Sequence, residues 1–182
     1  MTHPTDQLID RRSGEDRRRD DDPAAGGVSA ADPIAAWHLT IPPDLADARC
    51  ADPWLQVVHR SLLAELDGEH EEVSRGWDDS VTWELTGPDP TTDAGPHVGA
   101  TAIIRYHREL ARRSDWTFTQ ELVSLEGGRG PIVEAHLRTT ATRTGRTLDT
   151  PTLLVFELAS LRVRKVTEIP GDLKAWEAFW RD

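Results

Sequence analysis

The chain has 182 residues, enough for one domain plus an appendage, and its formal net charge of −11 argues against nucleic acid or an anionic membrane as partner, since phosphates would repel it. A single cysteine, Cys50, excludes an internal disulfide and a thiolate metal site. No apolar run approaches the ~20 residues that span a bilayer, and the polar, charged N-terminus has no signal-peptide core, so the expected location is cytoplasmic.

Residues 1–50 read as a charged tail and linker. The stretch Arg11–Gly27 mixes both charge signs and then runs into Asp, Pro, Ala and Gly, with almost nothing to bury against the entropy of ordering it. Residues 31–50, with Trp37 and Ile41, are a linker that packs in part on the domain, which is expected over 51–182. Asp52-Pro53 supplies a cap and a first-turn proline, and Trp54, Leu55, Val58, Leu62 and Leu66 recur at helical spacing before Gly68. A short helix is expected over 69–76.

Val81 to Thr86 alternates as a strand, with Val81, Trp83 and Leu85 on one face and Thr82, Glu84 and Thr86 on the other; Trp83 reads as packing. The Gly- and Pro-rich stretch Gly87–Gly99 is a loop. The next helix, over 99–113, carries Ile103, Ile104, His107, Leu110 and Ala111 as its apolar stripe. His107 reads as a hydrogen-bonded core histidine. Strands are expected at 116–125, 132–143, 147–158 and 161–169. A closing helix capped by Asp172 buries Leu173, Trp176, Phe179 and Trp180.

Strands joined by short turns such as Thr144-Gly145 imply an antiparallel meander, so the fold class is α+β. Val133, Ala135, Leu137, Thr139 and Ala141 share one face of their strand. Leu148, Thr150, Thr152, Leu154, Phe156 and Leu158 share one face of the next. Inward residues of moderate size beside a helical wall leave room for a pocket, and His136 and Arg138 face away from it.

Three segments, Gly76–Gly87 (GWDDSVTWELTG), His97–His107 (HVGATAIIRYH) and the C-terminal block from TATRTGRTLDTPTLLVFEL to VRKVTEIPGDLKAWEAFW, taken in this order and spacing, resemble the nuclear transport factor 2-like superfamily in its SnoaL-like and ketosteroid isomerase-like branch. The resemblance spans roughly residues 52–182. It implies a cone of curved, mainly antiparallel sheet wrapped by helices around an apolar pocket, a small hydrophobic ligand, and a homodimer formed through the sheet. In the family's pattern a strand following an Asp-Asp pair carries the general base. Asp78-Asp79 matches that pair and places Glu84 at the base position on the pocket face. The family's oxyanion-hole acid falls on Thr152, and its tyrosine on the first helix falls at His59 or Arg60, which makes steroid isomerisation itself an unsuitable reading. On the last strand Val166 and Glu168 match pocket positions.

These matches nominate Glu84 and Glu168 as a catalytic acid–base pair, since two carboxyls in an apolar setting acquire different proton affinities. His59, Trp77, Tyr106, Leu137, Thr139, Thr152, Leu154, Val166 and Trp176 are the expected pocket wall. Histidines without metal-ligand spacing and the lack of a phosphate loop point to no metal and no cofactor. Two readings stay open: a cofactor-independent cyclase, isomerase or hydrolase, and a non-catalytic ligand-binding or dimerisation module. In the second, either glutamate pairs with an Arg or His at the rim.

Overall fold

A computed structural model describes residues 38–46, 51–66, 73, 75–91 and 95–181. The expected tail, Trp37 and Cys50 lie outside the described residues. Among the described residues the chain runs β1 (His38–Thr40), α1 (Pro43–Ala46), α2 (Pro53–Leu66), β2 (Trp77–Leu85), β3 (His97–Val98), α3 (Ala100–Arg113), β4 (Thr119–Gly127), β5 (Ile132–Arg143), β6 (Arg146–Ala159), β7 (Arg162–Pro170) and α4 (Leu173–Trp180). Of the helix expected over 69–76, Val73, Arg75 and Gly76 are helical and the rest is not described.

The strands form one curled, mixed sheet in the order β1-β4-β5-β6-β7-β2-β3. The β4–β7 meander is antiparallel throughout, as its short turns require. Thr144-Gly145 and Ser160-Leu161 close the two later hairpins with positive φ at both residues (48° and 78°, 51° and 57°), the backbone twist that matches flanking strands. Two pairings are parallel, β1 with β4 and β2 with β7. Because β1 sits at residues 38–40, the stretch read as linker contributes an edge strand, and its Leu39 is buried. β3, inside the expected loop, is a two-residue strand on β2, too short for alternation to reveal.

Register shifts interrupt three of the pairings, that of β2 with β7 falling between Trp77 and Thr82. The β4–β5 register shifts between Leu122 and Ser124, and the β6–β7 register shifts between Glu157 and Leu158, opposite Lys165 and Val163. An extra residue in one strand bends it and increases its twist. β4 starts at Thr119 rather than 116 because Asp115 and Trp116 take positive φ (52° and 62°) in a turn that the Ser114 side chain ties to the end of α3 and to Phe118 N–H.

Alternation assigns the inner face as expected on β5 and β6: Val133, Ala135, Leu137, Thr139, Ala141, Leu148, Thr150, Thr152, Leu154, Phe156 and Leu158 are all buried. The buried stripe of α3 is Ile103, Tyr106, His107, Leu110 and Ala111, with Ile104 half-buried. That is a regular i, i+3, i+4, i+7, i+8 face, and it turns Tyr106 inward. α2 begins as expected, with Asp52 Oδ1 accepting from Trp54 N–H at 2.8 Å. α4 begins at Asp172, whose Oδ1 accepts from Ala175 N–H at 2.9 Å. The helix then buries Trp176, Phe179 and Trp180 and leaves Leu173 38% exposed. No described helix is long and apolar enough to cross a membrane.

Candidate functional site

On β7 the inward row is Val163, Val166, Glu168 and Pro170, so strand parity places one carboxyl among apolar neighbours. Glu168 lies opposite Leu154 of β6 and has no exposed surface. Three elements reach it. Trp83 Nε1–H of β2 donates to Oε2 at 2.9 Å, the Tyr106 hydroxyl of α3 donates to the same oxygen at 3.0 Å, and Gln120 Nε2–H of β4 donates to Oε1 at 3.2 Å. All three donors are neutral. Burial therefore raises the proton affinity of Glu168 above the ordinary carboxyl range; the three hydrogen bonds pull it back in part, and the charge of Asp89 adds to the rise.

Tyr106 is pushed the other way from ionisation, first by burial and then by the charges of Glu168 and Asp89, so its hydroxyl keeps its proton. Donor chemistry sets what this cluster can do. Indole and amide N–H groups only donate to Glu168, whereas the tyrosine hydroxyl can donate or accept. When Glu168 carries a proton, Tyr106 is the one of its three partners able to receive it.

Two arms extend from the carboxyl. Along the sheet, Gln120 Nε2 also donates to Thr139 Oγ1 at 3.2 Å, and Thr139 Oγ1 lies 2.8 Å from Thr152 Oγ1. Toward the β2–β3 loop, the His97 ring stacks on Tyr106 with centroids 4.4 Å apart. His97 Nε2 lies 2.9 Å from Asp89 Oδ2, and Asp89 Oδ1 accepts from the amide and hydroxyl of Thr91 at 2.7 and 2.6 Å. His107 meets Trp83 edge-on at 4.7 Å; burial, with the neighbouring His97, lowers its pKa to about 3, so it is neutral.

Asp89 also forms part of the wall of an open cleft of about 460 Å³, with Pro88, Pro90, Arg113, Trp176 and Trp180. A smaller hollow of about 150 Å³ lies between α2 and Leu161. Among the described residues no group of three His, Cys, Asp or Glu side chains converges on a metal-binding arrangement.

Of the two nominated carboxyls, only Glu168 is inside. Glu84 lies on the outer face of β2, 40% exposed, with its Oε2 2.7 Å from Lys165 Nζ. Its expected pocket position is corrected by the alternation of its own strand, since Val81 and Trp83 are completely buried and the residue between Trp83 and Leu85 must point away from them. His59 is buried against α1, with Nε2 2.7 Å from the Leu45 carbonyl oxygen, and so ties two helices together instead of joining the cluster. Tyr106, Thr139 and Thr152 belong to the network. Leu137, Leu154 and Val166 are buried around it. Trp77 is buried with its ring centroid 6.4 Å from Trp83, and its Nε1–H has no hydrogen-bond partner among the described residues. Trp176 is buried beside the cleft, with Nε1 3.4 Å from the Pro88 carbonyl oxygen.

Four members of the cluster escape a sequence reading of the site. Gln120 has a signal, because it alternates with Phe118 and Leu122 and so is a polar residue in an apolar row. Trp83 reads as packing alone. His97 and Asp89 sit in and beside a loop, where no periodicity marks which side chains turn inward.

No protein-family model matches the sequence. An uncharacterised protein of Mycobacterium tuberculosis is 26% identical over 129 residues, covering 71% of this chain and 97% of its own length. Among solved structures, Bal32a, from a soil-derived mobile gene cassette, superposes with a TM-score of 0.63 at 29% identity over 72% of this chain and 98% of its own. A nuclear transport factor 2-like protein of Burkholderia xenovorans superposes with a TM-score of 0.57 at 16% identity, covering 71% of this chain and 96% of its own. The chain has the nuclear transport factor 2-like fold. A protein of Jannaschia named as a SnoaL-like polyketide cyclase shares this fold, with a TM-score of 0.55 at 13% identity over 74% of this chain and 99% of its own. In nuclear transport factor 2-like terms, the inner face of the curled sheet is where Glu168 and its donors lie.

Proposed function

We propose that this chain binds a small hydrophobic molecule bearing a carbonyl or hydroxyl group against the inner face of its sheet, and that Glu168 exchanges a proton with it. The reading rests on one observation: a carboxyl with no exposed surface is held by three neutral donors from three different elements. A buried carboxyl is costly to the fold, and a fold stabilised only by packing would do better with an apolar residue there. Raised proton affinity from burial is what an acid–base group working near neutrality needs.

With Glu84 outside, the chemistry falls to a single carboxyl. Ionised Glu168 takes a proton from the carbon beside a carbonyl, the C–H electron pair passes into an enolate, and the same proton returns at a second carbon. That sequence is an isomerisation; attack of the enolate carbon on a second carbonyl of the same molecule, whose oxygen then takes the proton back from Glu168, is a cyclisation. Tyr106, which keeps its hydroxyl proton, is the donor able to turn from Glu168 toward the ligand oxygen. Trp77 Nε1–H is a further donor beside the cluster. Neither route calls on a cofactor. The likeness to a SnoaL-like polyketide cyclase supports small organic molecules as the ligand class.

A panel of small hydrophobic ketones and quinones, screened first by melting-temperature shift and then for turnover, tests this reading. Glu168→Gln is expected to retain binding and to lower turnover ~10²–10⁴-fold, the usual worth of a positioned acid–base group. Undiminished turnover in that variant would contradict the proposal. The alternative, a binding module without chemistry, draws support from Thr152: it stands where the family has an acid, and its hydroxyl is engaged with Thr139. On that alternative wild type and variant bind alike and neither turns anything over.

A further inference from the structure

Two of the three donors to Glu168 meet on one oxygen, so the state of Oε2 depends on how Trp83 and Tyr106 are held. Trp83 sits within β2, paired on one side with β3 and on the other with β7. Tyr106 reaches in from α3 on a side chain of its own. Its 3.0 Å bond lies at the long end of the range for a hydroxyl donor, so a small rotation of the ring would break it. Three rings surround it. Trp83 lies 6.4 Å away, and His107, the next residue on α3, lies edge-on at 5.1 Å. His97 is nearer, 4.4 Å between centroids with the planes 30° apart, so it covers a face of the phenol.

His97 is set there by two features that the acid–base reading leaves unused. The first is β3, which pairs His97 with Trp83, so the imidazole stands beside the indole that shares Oε2 with Tyr106. Gly99 N–H continues the pairing to the Val81 carbonyl at 2.7 Å. A two-residue strand adds little to the sheet, but it places this ring. The second feature is the loop Pro88-Asp89-Pro90-Thr91. His97 Nε2–H donates to Asp89 Oδ2 at 2.9 Å, and Asp89 Oδ1 accepts from the Thr91 amide and hydroxyl. Pro88 and Pro90 restrict the backbone on either side of Asp89. The side chains of His97 and Asp89 are only 3% and 8% exposed, so parting them would leave buried polar groups unpaired. The imidazole cannot turn away from Tyr106 without that loss.

We propose that His97, anchored by Asp89, is the positioning residue of this site: it holds the Tyr106 ring at the angle that keeps its hydroxyl on Glu168 Oε2. This rests on the reading of Glu168 as the proton-exchanging group. His97 acts on the carboxyl through Tyr106 alone. With His97 in place both donors reach Oε2, and the ionised form of Glu168 keeps its full set of hydrogen bonds. Without it the phenol turns, one of those bonds is lost, and the carboxyl holds its proton more tightly. The other ionisable groups facing the cluster are Asp89, whose charge favours the protonated carboxyl, and His107, which is neutral down to about pH 3. Removing the imidazole ring leaves both in place.

The test needs no ligand. Infrared spectroscopy follows the protonated carboxyl band of Glu168, assigned by its loss in Glu168→Gln, as pH is raised. His97→Gln keeps an N–H for Asp89 and removes the ring. It is expected to raise the Glu168 midpoint, by no more than Tyr106→Phe does, and to leave it unmoved in a chain that already carries Tyr106→Phe. Action through Tyr106 requires that non-additivity. A merely loosened fold has the opposite sign, since water reaching the carboxyl favours its ionised form and lowers the midpoint in both backgrounds. A midpoint that stays or falls in His97→Gln, or that rises equally with and without the Tyr106 hydroxyl, would overturn the positioning role while leaving Glu168 as the acid. A second measurement covers a variant that does not fold. Tyr106 is the only tyrosine of the chain, so its ring protons are read directly in the wild-type NMR spectrum. Nuclear Overhauser contacts from them to the His97 ring are expected, and their absence would overturn the proposal as well. A Glu168 band that titrates with the exposed glutamates would instead overturn the reading of Glu168; His97 then stands or falls on the His97→Gln comparison alone.

Discussion

A carboxyl cut off from water keeps whichever charge state its neighbours stabilise best, and around Glu168 those neighbours are an indole, a phenol and an amide. Trp83→Phe keeps the ring and removes one donor, and because that hydrogen bond favours the ionised form, its loss raises the proton affinity of Glu168 further. Hydrogen bonds to charged groups are worth about 1.5–3 kcal/mol, so a carboxyl titration followed by infrared spectroscopy should resolve the change. A midpoint that stays put or falls would show that Trp83 only packs. The folded state holds the Glu168 proton more tightly than the unfolded chain does. Stability therefore falls as pH rises from the ordinary Glu range through the raised value, and is level on either side. Urea unfolding of wild type and Glu168→Gln should diverge only in that window; parallel curves would contradict it. Glu84→Gln, on the outer face, should change stability by no more than ~1 kcal/mol, as exposed ion pairs do, and a larger loss in the same urea experiment would argue against a merely exposed pair. The inward position of Glu168 was legible in the sequence, because it shares strand parity with Val166. That of Asp89 was not, because a Pro-Asp-Pro loop has no period.

At the scale of elements, α4 holds the indoles of Trp176 and Trp180 against the cleft, and its start depends on one side chain. Asp172→Ala removes the acceptor of Ala175 N–H and should cost ~1 kcal/mol of stability, typical of a lost N-cap, in chemical denaturation. A loss near zero would mean that packing of Trp176, Phe179 and Trp180 alone fixes the helix. The long elements were legible because their periods were long enough to repeat: β5 spans the expected residues, and β6, β7 and α3 lie within a residue of expectation at each end. β2 teaches a different lesson. Its own alternation turned Glu84 outward, while the family's pattern placed it inward, and the local period prevailed because Val81 and Trp83 need the core more than a carboxylate does. On α3 the stripe turned slightly from the one read, exchanging Ile104 for Tyr106, since a hydroxyl with an acceptor inside is as buriable as an aliphatic chain.

For the molecule as a whole, the meander and its helices followed from sequence pattern, while the two parallel pairings did not. β1 and β3 have three and two residues, too few to show a period, and which strand they join is decided by the packing of distant elements. The outer face of the sheet carries half-exposed Leu153, Val155 and Ile169 beside charged residues, and we propose that two copies pair through it. Light scattering should return the mass of two chains, and the mass of one chain would reject the pairing. Such pairing would leave the inner face, with its buried carboxyl, outside the contact between copies.

The most direct measurement is a ¹³C NMR titration of the glutamate side-chain carboxyls, with the Glu168 signal assigned through Glu168→Gln. The expected result is a Glu168 carboxyl that keeps its proton to higher pH than the ordinary Glu range, because burial favours its neutral form. A Glu168 signal that ionises with the rest, or below them, would contradict the acid–base reading of this site.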